Sequence, residues 1–299
     1  MEHVRWLSEP QLRAPTLVCA FTGWNDAGDA ASSAVRTLVE RWGATAVAEI
    51  DPEAFTDFAT VRPHVRLDHG RRTIVWPTVG VWSASTPGGD VLLALGPEPA
   101  LRWKLFCAQF VGIASRFEVP MTVSLGALLA DVPHTRPVHV IGTASDTDVI
   151  DRFDLQPSRY EGPTGIVGVL SDTLGRAGVP SASLWAAVPG YAPQIPSPKA
   201  ALALVERACT LLGTPAPIEA LRLAAADYDE RIAALIAEDD DLQEYVNRLE
   251  SMADEEGTGA FLVDDDEDDD DDDTTAAEVD PGELVAEVER FLRDRDGEA

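Results

Sequence analysis

The sequence predicts an α/β fold in which helices cover both faces of a parallel or mixed sheet, followed by a helical appendage. Short apolar strand-like runs alternate with amphipathic helical segments up to residue 217, which is the pattern of an α/β domain. Hydrophobic residues make up 45% of the 299 residues, so this domain can bury a substantial core. From residue 218 the strand signals stop and helical patterns continue alone, which predicts the appendage.

The elements of the predicted α/β domain, residues 1–217, follow from hydrophobic periodicity. Short runs rich in apolar and β-branched residues predict strands at 16–21, 45–50, 89–96, 121–128, 137–144 and 182–188, with a further pair around His69 and Gly70. Apolar residues spaced three and four apart predict helices at 29–42, 101–117, 165–178 and 197–213.

The predicted helical subdomain or arm, residues 218–256, carries two apolar stripes at helical spacing. The first stripe is Leu221, Ala225, Tyr228, Ile232, Leu235 and Ile236. The second stripe is Leu242, Tyr245, Val246 and Leu249. Each stripe gives its segment an apolar side that can pack, so we predict one or two helices.

An acidic linker is predicted for residues 257–279. Ten consecutive carboxylates at 264–273 repel one another, and with no apolar residue among them they favour a disordered chain. A calcium site is the alternative, although the run lacks the central glycine and the ligand spacing of an EF-hand loop.

A short amphipathic helix is predicted for residues 280–294, with Asp280 as N-cap and Pro281 in the first turn. An isolated helix of this length is marginal in water, so its apolar face should dock on the same domain or in the groove of a partner. The candidate docking residues are Leu284, Val288, Phe291 and Leu292.

The acidity of the chain is concentrated towards its C-terminal end. Residues 1–222 hold 22 acidic and 18 basic side chains, and residues 223–299 hold 30 acidic and 5 basic ones, for a total net charge of −29. Phosphate backbones and anionic lipids would be repelled, so we expect neither nucleic acid nor a membrane as a partner.

The cysteine pattern and the N-terminal sequence predict a cytoplasmic protein. Cys19, Cys107 and Cys209 are odd in number and lie in apolar sequence, which is typical of buried thiols in a reducing compartment. The first residues have no signal-peptide pattern, and no apolar run approaches the ~20 residues that span a bilayer.

The standard catalytic and cofactor motifs are missing from the sequence. It contains no Walker phosphate loop, no GxGxxG after a strand, no GxSxG elbow and no HExxH zinc motif. The five histidines are scattered along the chain. We therefore predict no catalytic residue, no metal site and no cofactor, and we favour a protein that is not an enzyme.

Candidate binding residues come instead from turns at the ends of predicted strands, where open α/β sheets bind ligands. The stretch FTGWNDAGDAA (21–31) places Asn25, Asp26 and Asp29 between a strand and a helix. These side chains can cap the helix, or they can form a binding site. In the second case the two carboxylates favour an amine, a guanidinium or another cation over a phosphate.

Other turns carry polar candidates of the same kind. They are Glu98 and Arg102, Asp131 and His134, Glu161 and Thr164, and Lys199. Asp131 can orient the His134 imidazole as a base, and the alternative is a histidine without a chemical role. Thr164 can cap the next helix, and Ser197 followed by Pro198 forms an N-cap and first-turn pair.

Taken in order, these turns resemble one known family. The stretches GWNDAGDAA, LGPEPALRW, LGALLADVPHTRPV, YEGPTGIVGVL and SLWAAVP followed by PSPKA resemble the proteasome assembly chaperone 2-like family, in its bacterial, actinobacterial-type branch. The resemblance extends from about residue 16 to residue 249. It implies a three-layer α/β/α sandwich with a mostly parallel sheet, similar to nucleoside phosphorylase-like folds. The sequence departs from the family pattern at Gly190, where many relatives carry His.

Two functions follow from these observations. The first is a non-enzymatic protein-interaction or assembly-chaperone-like module, in a homo-oligomer and with a protein partner that the resemblance suggests is proteasome-related. The second is a small-molecule-binding protein, a hydrolase or a transferase that uses a crevice at the carboxyl ends of the strands, with Asp26 as a base and Arg102 or Lys199 binding an anionic group. The resemblance and the missing catalytic motifs favour the first.

Overall fold

The described part of the chain, residues 2–256 of a computed structural model, contains eleven strands and seven α-helices. The strands are β1 (Val4–Trp6), β2 (Thr16–Thr22), β3 (Thr45–Ile50), β4 (His64–Asp68), β5 (Arg71–Val75), β6 (Val79–Thr86), β7 (Gly89–Pro97), β8 (Thr122–Ala130), β9 (Val140–Ala144), β10 (Gln156–Pro157) and β11 (Ser181–Pro189). The helices are α1 (Ala30–Arg41), α2 (Trp103–Arg116), α3 (Thr147–Phe153), α4 (Ile166–Arg176), α5 (Pro198–Leu212), α6 (Glu219–Ile236) and α7 (Asp240–Glu256).

Within these residues, the central sheet has nine strands in the order β1-β3-β6-β7-β2-β8-β11-β9-β10. Its four middle strands, β7, β2, β8 and β11, pair in parallel. Antiparallel pairs flank them, β6 with β7 on one side and β9 with β11 on the other. Parallel strands require crossover connections, and helix α4 lies in the connection between the neighbours β8 and β11, while α2 lies in the connection from β7 to β8, on the two sides of β2.

Helices cover both faces of the sheet. Alternate residues of β2 point to opposite sides, so Val18 and Ala20 pack in the core beneath α1 and α5, whereas Cys19 and Phe21 pack in the core beneath α2 and α4. Burial on both faces explains why the middle strands are continuously apolar. The predicted α/β/α sandwich, with its parallel sheet centre and C-terminal helices, is confirmed.

The cysteines lie in these cores, as predicted. All three are free thiols and buried. Burial disfavours the thiolate and raises the pKa of Cys19 to about 12 and that of Cys107 to about 11. These thiols are therefore packing residues rather than nucleophiles.

Four elements were not predicted from the sequence. Strand β6 was missed because small and polar residues interrupt its apolar run, and its burial arises from pairing with β3 and β7. Elements β1, α3 and β10 have only 3, 7 and 2 residues, which is too short for a periodic signal.

The strand pair predicted around His69 and Gly70 is present as a separate two-stranded sheet of β4 and β5. Val65 pairs with Ile74 across this hairpin, and both side chains are exposed. The hairpin therefore contributes apolar surface rather than core.

The C-terminal helices of the described range pack on the domain through α6. Tyr228, Ile232 and Ile236 of α6 form a small core with Val246 of α7 and Ala192. Leu235 was predicted in the same stripe but is 48% exposed, because it lies on the solvent side of α6. No helix within residues 2–256 is long and apolar enough to cross a membrane. The predicted linker (257–279) and terminal helix (280–294), with Leu284, Val288, Phe291 and Leu292, lie outside the described residues.

Candidate functional site

Three of the predicted site residues meet where β2 and β7 end. The chain leaves β2 towards α1 on one face of the sheet and leaves β7 towards α2 on the other face. Such a divergence of neighbouring connections opens the crevice in which α/β proteins bind ligands. Asn25, Asp26 and Glu98 lie there, and we call these residues the strand-end cluster.

Glu98 connects three elements. Its Oε1 accepts a hydrogen bond of 2.9 Å from Asn25 Nδ2 and one of 2.8 Å from the backbone N–H of Ile166, the first residue of α4. Asn25 is 1% exposed, so its amide would be costly to leave unpaired. A Cβ at Gly165 would lie 2.2 Å from Asn25 Oδ1, so the backbone can approach this closely only because the residue is glycine.

Glu98 thereby supplies the capping contact that was predicted for Thr164, and that prediction is wrong. Thr164 is exposed, its hydroxyl lies 3.4 Å from the carbonyl oxygen of Gly165, and Gly165 itself occupies the N-cap position of α4. A carboxylate from β7 reaches the helix start instead, which no local sequence signal reveals.

Asp26 caps α1, so the helix-start interpretation of this residue is confirmed. Its Oδ1 accepts the backbone N–H groups of Ala31 and Ser32 at 2.8 and 3.0 Å. Burial raises the pKa of Asp26, against these hydrogen bonds, which lower it. Within the described residues no donor reaches Asp26 Oδ2 or Asn25 Oδ1. Asp26 is 6% exposed, and its Oδ1 holds the first turn of α1 in place.

The other candidates near this edge do not join the strand-end cluster. Asp29 and Arg102 are exposed residues at the starts of α1 and α2, each with a positive φ near 50°. Glu161 is exposed in the loop before α4. Within residues 2–256, the side chains of Asp29, Arg102 and Glu161 make no hydrogen bond or ion pair with the strand-end cluster.

A second group of candidates lies where α6 packs on the domain. His134 Nδ1 is 2.9 Å from the hydroxyl of Tyr191, which also accepts the backbone N–H of His134 at 2.6 Å. Lys199 Nζ donates to the backbone carbonyl of His134 and lies 3.1 Å from both carboxylate oxygens of Asp229. We call His134, Tyr191, Lys199 and Asp229 the arm cluster, because they connect strand ends to α6.

The arm cluster fixes the protonation of its aromatic members. Burial lowers the pKa of His134, with Asp229 opposing, so the imidazole is neutral near pH 7. Burial raises the pKa of Tyr191, which keeps its hydroxyl protonated. The hydroxyl of Tyr191 accepts the backbone N–H of His134, and its contact with Nδ1 is a hydrogen bond whose direction depends on which ring nitrogen carries the proton.

The predicted pair of Asp131 and His134 is wrong. Asp131 is exposed and accepts a hydrogen bond of 2.8 Å from the hydroxyl of Tyr245 on α7, whereas the His134 ring is bonded to Tyr191. Helix α7, which lies far along the chain, supplies the partner of Asp131 in place of His134.

Helix α7 closes one side of a cleft beside the arm cluster. Arg136 makes a two-pronged ion pair with Asp254 at 2.8 and 2.7 Å, and Glu250 accepts from the hydroxyl of Thr135. The cleft has a volume of about 280 Å³, and its lining includes His134, Ser197, Lys199 and Tyr228. Sequence reasoning assigned Tyr228 to packing alone, because a tyrosine within an apolar stripe gives no sign of a site.

No group of three or more His, Cys, Asp or Glu side chains in residues 2–256 is arranged to hold a metal ion.

The sequence relatives of the chain decide its family. A profile of the PAC2 family matches residues 20–236, a range that includes the strand-end cluster and all of the arm cluster. This chain belongs to the PAC2 family. A PAC2 family protein from Streptomyces avermitilis is 45% identical, with a TM-score of 0.72 over 78% of this chain and 99% of that one. The actinobacterial-type resemblance inferred from the motif series is thus confirmed.

Two further solved structures resemble this PAC2 family chain. A proteasome-assembly chaperone homologue from Mycobacterium tuberculosis is 43% identical, with a TM-score of 0.70 over 77% of this chain and 99% of that one. An archaeal homologue of proteasome-assembly chaperone from Pyrococcus furiosus is 16% identical and shares the fold, with a TM-score of 0.58 over 83% and 99%. No curated protein matches the chain.

Proposed function

We propose that this PAC2 family chain is a non-enzymatic protein-interaction module with an assembly-chaperone-like role. The proposal rests on the hydrogen bonds that the polar residues of the family motif make. Asn25, Asp26 and Glu98 direct their hydrogen bonds to one another and to helix starts, which makes them framework residues rather than reactive groups.

The framework supports an exposed apolar surface. Trp24 is 67% exposed beside Asn25, and Leu101 and Leu105, three and seven residues after Glu98, are 50% and 37% exposed. The connections that lead to these residues approach each other, since a Cβ at Gly23 would lie 3.5 Å from that of Glu98. Large aromatic and aliphatic side chains of this kind are typical anchors of protein interfaces. We call Trp24, Leu101 and Leu105 the strand-end surface.

The proposed partner is an unassembled proteasome subunit of the same organism. The support is the likeness to the mycobacterial proteasome-assembly chaperone homologue, together with the strand-end surface. Affinity capture from the cytosol of the source organism tests the proposal, with the wild-type chain compared with Trp24→Ser. We expect proteasome subunits in stoichiometric amounts with wild type and their loss with Trp24→Ser. Leu223→Ser is the matched control, because Leu223 is 73% exposed on α6, an element that carries none of the three residues of the strand-end surface.

We propose self-association through the hairpin of β4 and β5. A two-stranded sheet is marginal alone, and this one exposes Val65, Leu67 and Ile74. Arg66, Arg71 and Arg72 make the hairpin basic in a chain with a net charge of −29, so an acidic second copy complements it. Light scattering should show an oligomer for wild type and a smaller species for Leu67→Ser. A monomeric wild type would contradict this proposal without affecting partner binding.

A further inference from the structure

We propose that the β4–β5 hairpin binds the acidic C-terminal segment, residues 257–299, of a second copy of this chain. We call this segment the acidic tail. The inference rests on the self-association proposed above and names the part of the second copy that occupies the hairpin. The hairpin offers an apolar face and basic side chains, and the acidic tail carries the complement of both in its sequence.

One face of the hairpin is mostly apolar. Val65 and Leu67 lie two residues apart on β4, so their side chains point to the same side. Ile74 pairs with Val65 and Arg72 with Leu67, which places both partners on that side as well. Val65, Leu67 and Ile74 are each 50% or more exposed, so residues 2–256 leave this face uncovered. A two-stranded sheet is marginal in water without such cover, and an apolar occupant would therefore stabilise it.

The hairpin also carries an excess of positive charge. Residues 61–76 contain four arginines and a single carboxylate, that of Asp68. All four arginines are exposed, and within the described range none of them forms an ion pair. The hairpin therefore attracts an anionic segment. The four are Arg62, Arg66, Arg71 and Arg72.

The acidic tail has the complementary composition. Residues 257–299 hold 18 acidic and 3 basic side chains, a net charge of −15 in 43 residues. Residues 1–256 hold 34 acidic and 20 basic ones, a net charge of −14 spread over six times the length, so the tail is the most strongly anionic part of a second copy. The ten carboxylates at 264–273 complement the hairpin arginines. The apolar residues that complement the hairpin face are Leu284, Val288, Phe291 and Leu292.

The same charges favour a tail over a second hairpin as the occupant. Contact between two hairpins would bring eight arginines together, and like charges across an interface oppose binding. A chain of 43 residues spans at most about 150 Å, so length does not prevent the acidic tail from reaching a neighbouring copy. Reciprocal exchange of two tails uses both hairpins and closes into a dimer.

The test is disulfide cross-linking between two full-length chains with different tags, one carrying Leu67→Cys and the other Ala286→Cys. The three native cysteines are buried, so the introduced thiols are the accessible ones. With copper phenanthroline as oxidant, we expect the mixed 67–286 disulfide to exceed either homodimer at least about fivefold, because docking raises the effective concentration of the two thiols. Leu223→Cys in place of Leu67→Cys is the matched control, since both leucines are 73% exposed. It should give at least about fivefold less mixed product.

A charge exchange separates docking from a purely structural effect. Adding Arg66→Glu, Arg71→Glu and Arg72→Glu to the hairpin chain should lower the mixed product about tenfold, because attraction becomes repulsion. Asp→Lys and Glu→Lys throughout 264–273 of the other chain should lower it to a similar extent. Mixing the two altered chains should restore most of the product, which damage to either fold could not do.

Three outcomes would overturn the inference. They are equal product from Leu67→Cys and Leu223→Cys, a predominance of either homodimer, and charge-exchanged chains that do not recover. Light scattering of the wild-type chain separates these outcomes from a failure of self-association. An oligomer without the 67–286 disulfide removes only the tail as occupant, whereas a monomeric wild type contradicts both proposals.

Discussion

Glu98 shows how one side chain at a strand end can hold a fold together. It accepts from the buried amide of Asn25 and from the first N–H of α4, so it compensates two donors that would otherwise be unpaired. Gly165 permits this arrangement by leaving room for Asn25. The most recognisable polar residues of the chain are thus explained by framework geometry at the scale of single residues.

Replacing Glu98 by Ala should destabilise the protein by about 2–3 kcal/mol, because a buried amide and a helix-start N–H lose a charged acceptor. Urea unfolding measures the change. Glu161→Ala is the matched control, since this exposed carboxylate near the same helix should change stability by less than about 0.5 kcal/mol. Equal effects of the two variants would contradict the role assigned to Glu98.

Asp26 predicts a pH dependence of stability. Its pKa is raised in the folded state, so the folded state binds the proton more tightly than the unfolded state does. Stability relative to Asp26→Asn should therefore fall as pH rises from about 3.9, the ordinary Asp value, through the raised folded pKa. Urea unfolding of both proteins between about pH 4 and pH 7 measures the difference. A stability difference that grows with pH in favour of the wild-type chain would contradict a raised pKa of Asp26 in the folded state.

At the scale of elements, α7 is attached by two kinds of contact. Val246 and Leu249 are buried, whereas the ion pair of Arg136 with Asp254 and the bond of Tyr245 to Asp131 are exposed. Single exposed ion pairs contribute little and are screened by salt, but the pair of Arg136 with Asp254 is two-pronged, so it adds to the attachment that the few buried residues of α7 provide. We therefore expect α7 to open more readily than α5, which lies in the main core.

The Arg136→Gln variant should increase amide hydrogen exchange in α7 without changing exchange in α5. The variant removes the ion pair that joins the loop after β8 to α7. Arg176→Gln is the matched control, because its exposed ion pair with Asp172 lies within α4. Unchanged exchange in α7, or an equal increase from both variants, would contradict this account of the attachment.

Elements with local signals could be predicted, and contacts between distant residues could not. β3 was predicted at its observed bounds, and α1 to within one residue, because apolar periodicity is local. The cap of α4 by Glu98 joins residues 68 positions apart, and the bond of Asp131 to Tyr245 joins residues 114 apart. Neither contact leaves a pattern in the sequence. Thr164 was therefore wrongly predicted to cap α4, and His134 was wrongly paired with Asp131.

At the scale of the whole molecule, the described range combines a sandwich with two exposed apolar surface features. The strand-end surface carries exposed apolar anchors, and the β4–β5 hairpin carries a basic apolar face. The two polar clusters lie beneath or beside these features and are largely internally paired.

The dissociation constant between the purified full chain and unassembled proteasome subunits of the same organism tests the central claim most directly. For wild type we predict saturable binding, and for Trp24→Ser a loss of about 2 kcal/mol or more, which is roughly 30-fold in Kd. Leu223→Ser should bind as wild type does, since its exposed leucine lies on α6. Absence of binding by the wild-type chain, or equal binding by all three proteins, would contradict the claim that the strand-end surface is a protein-docking surface.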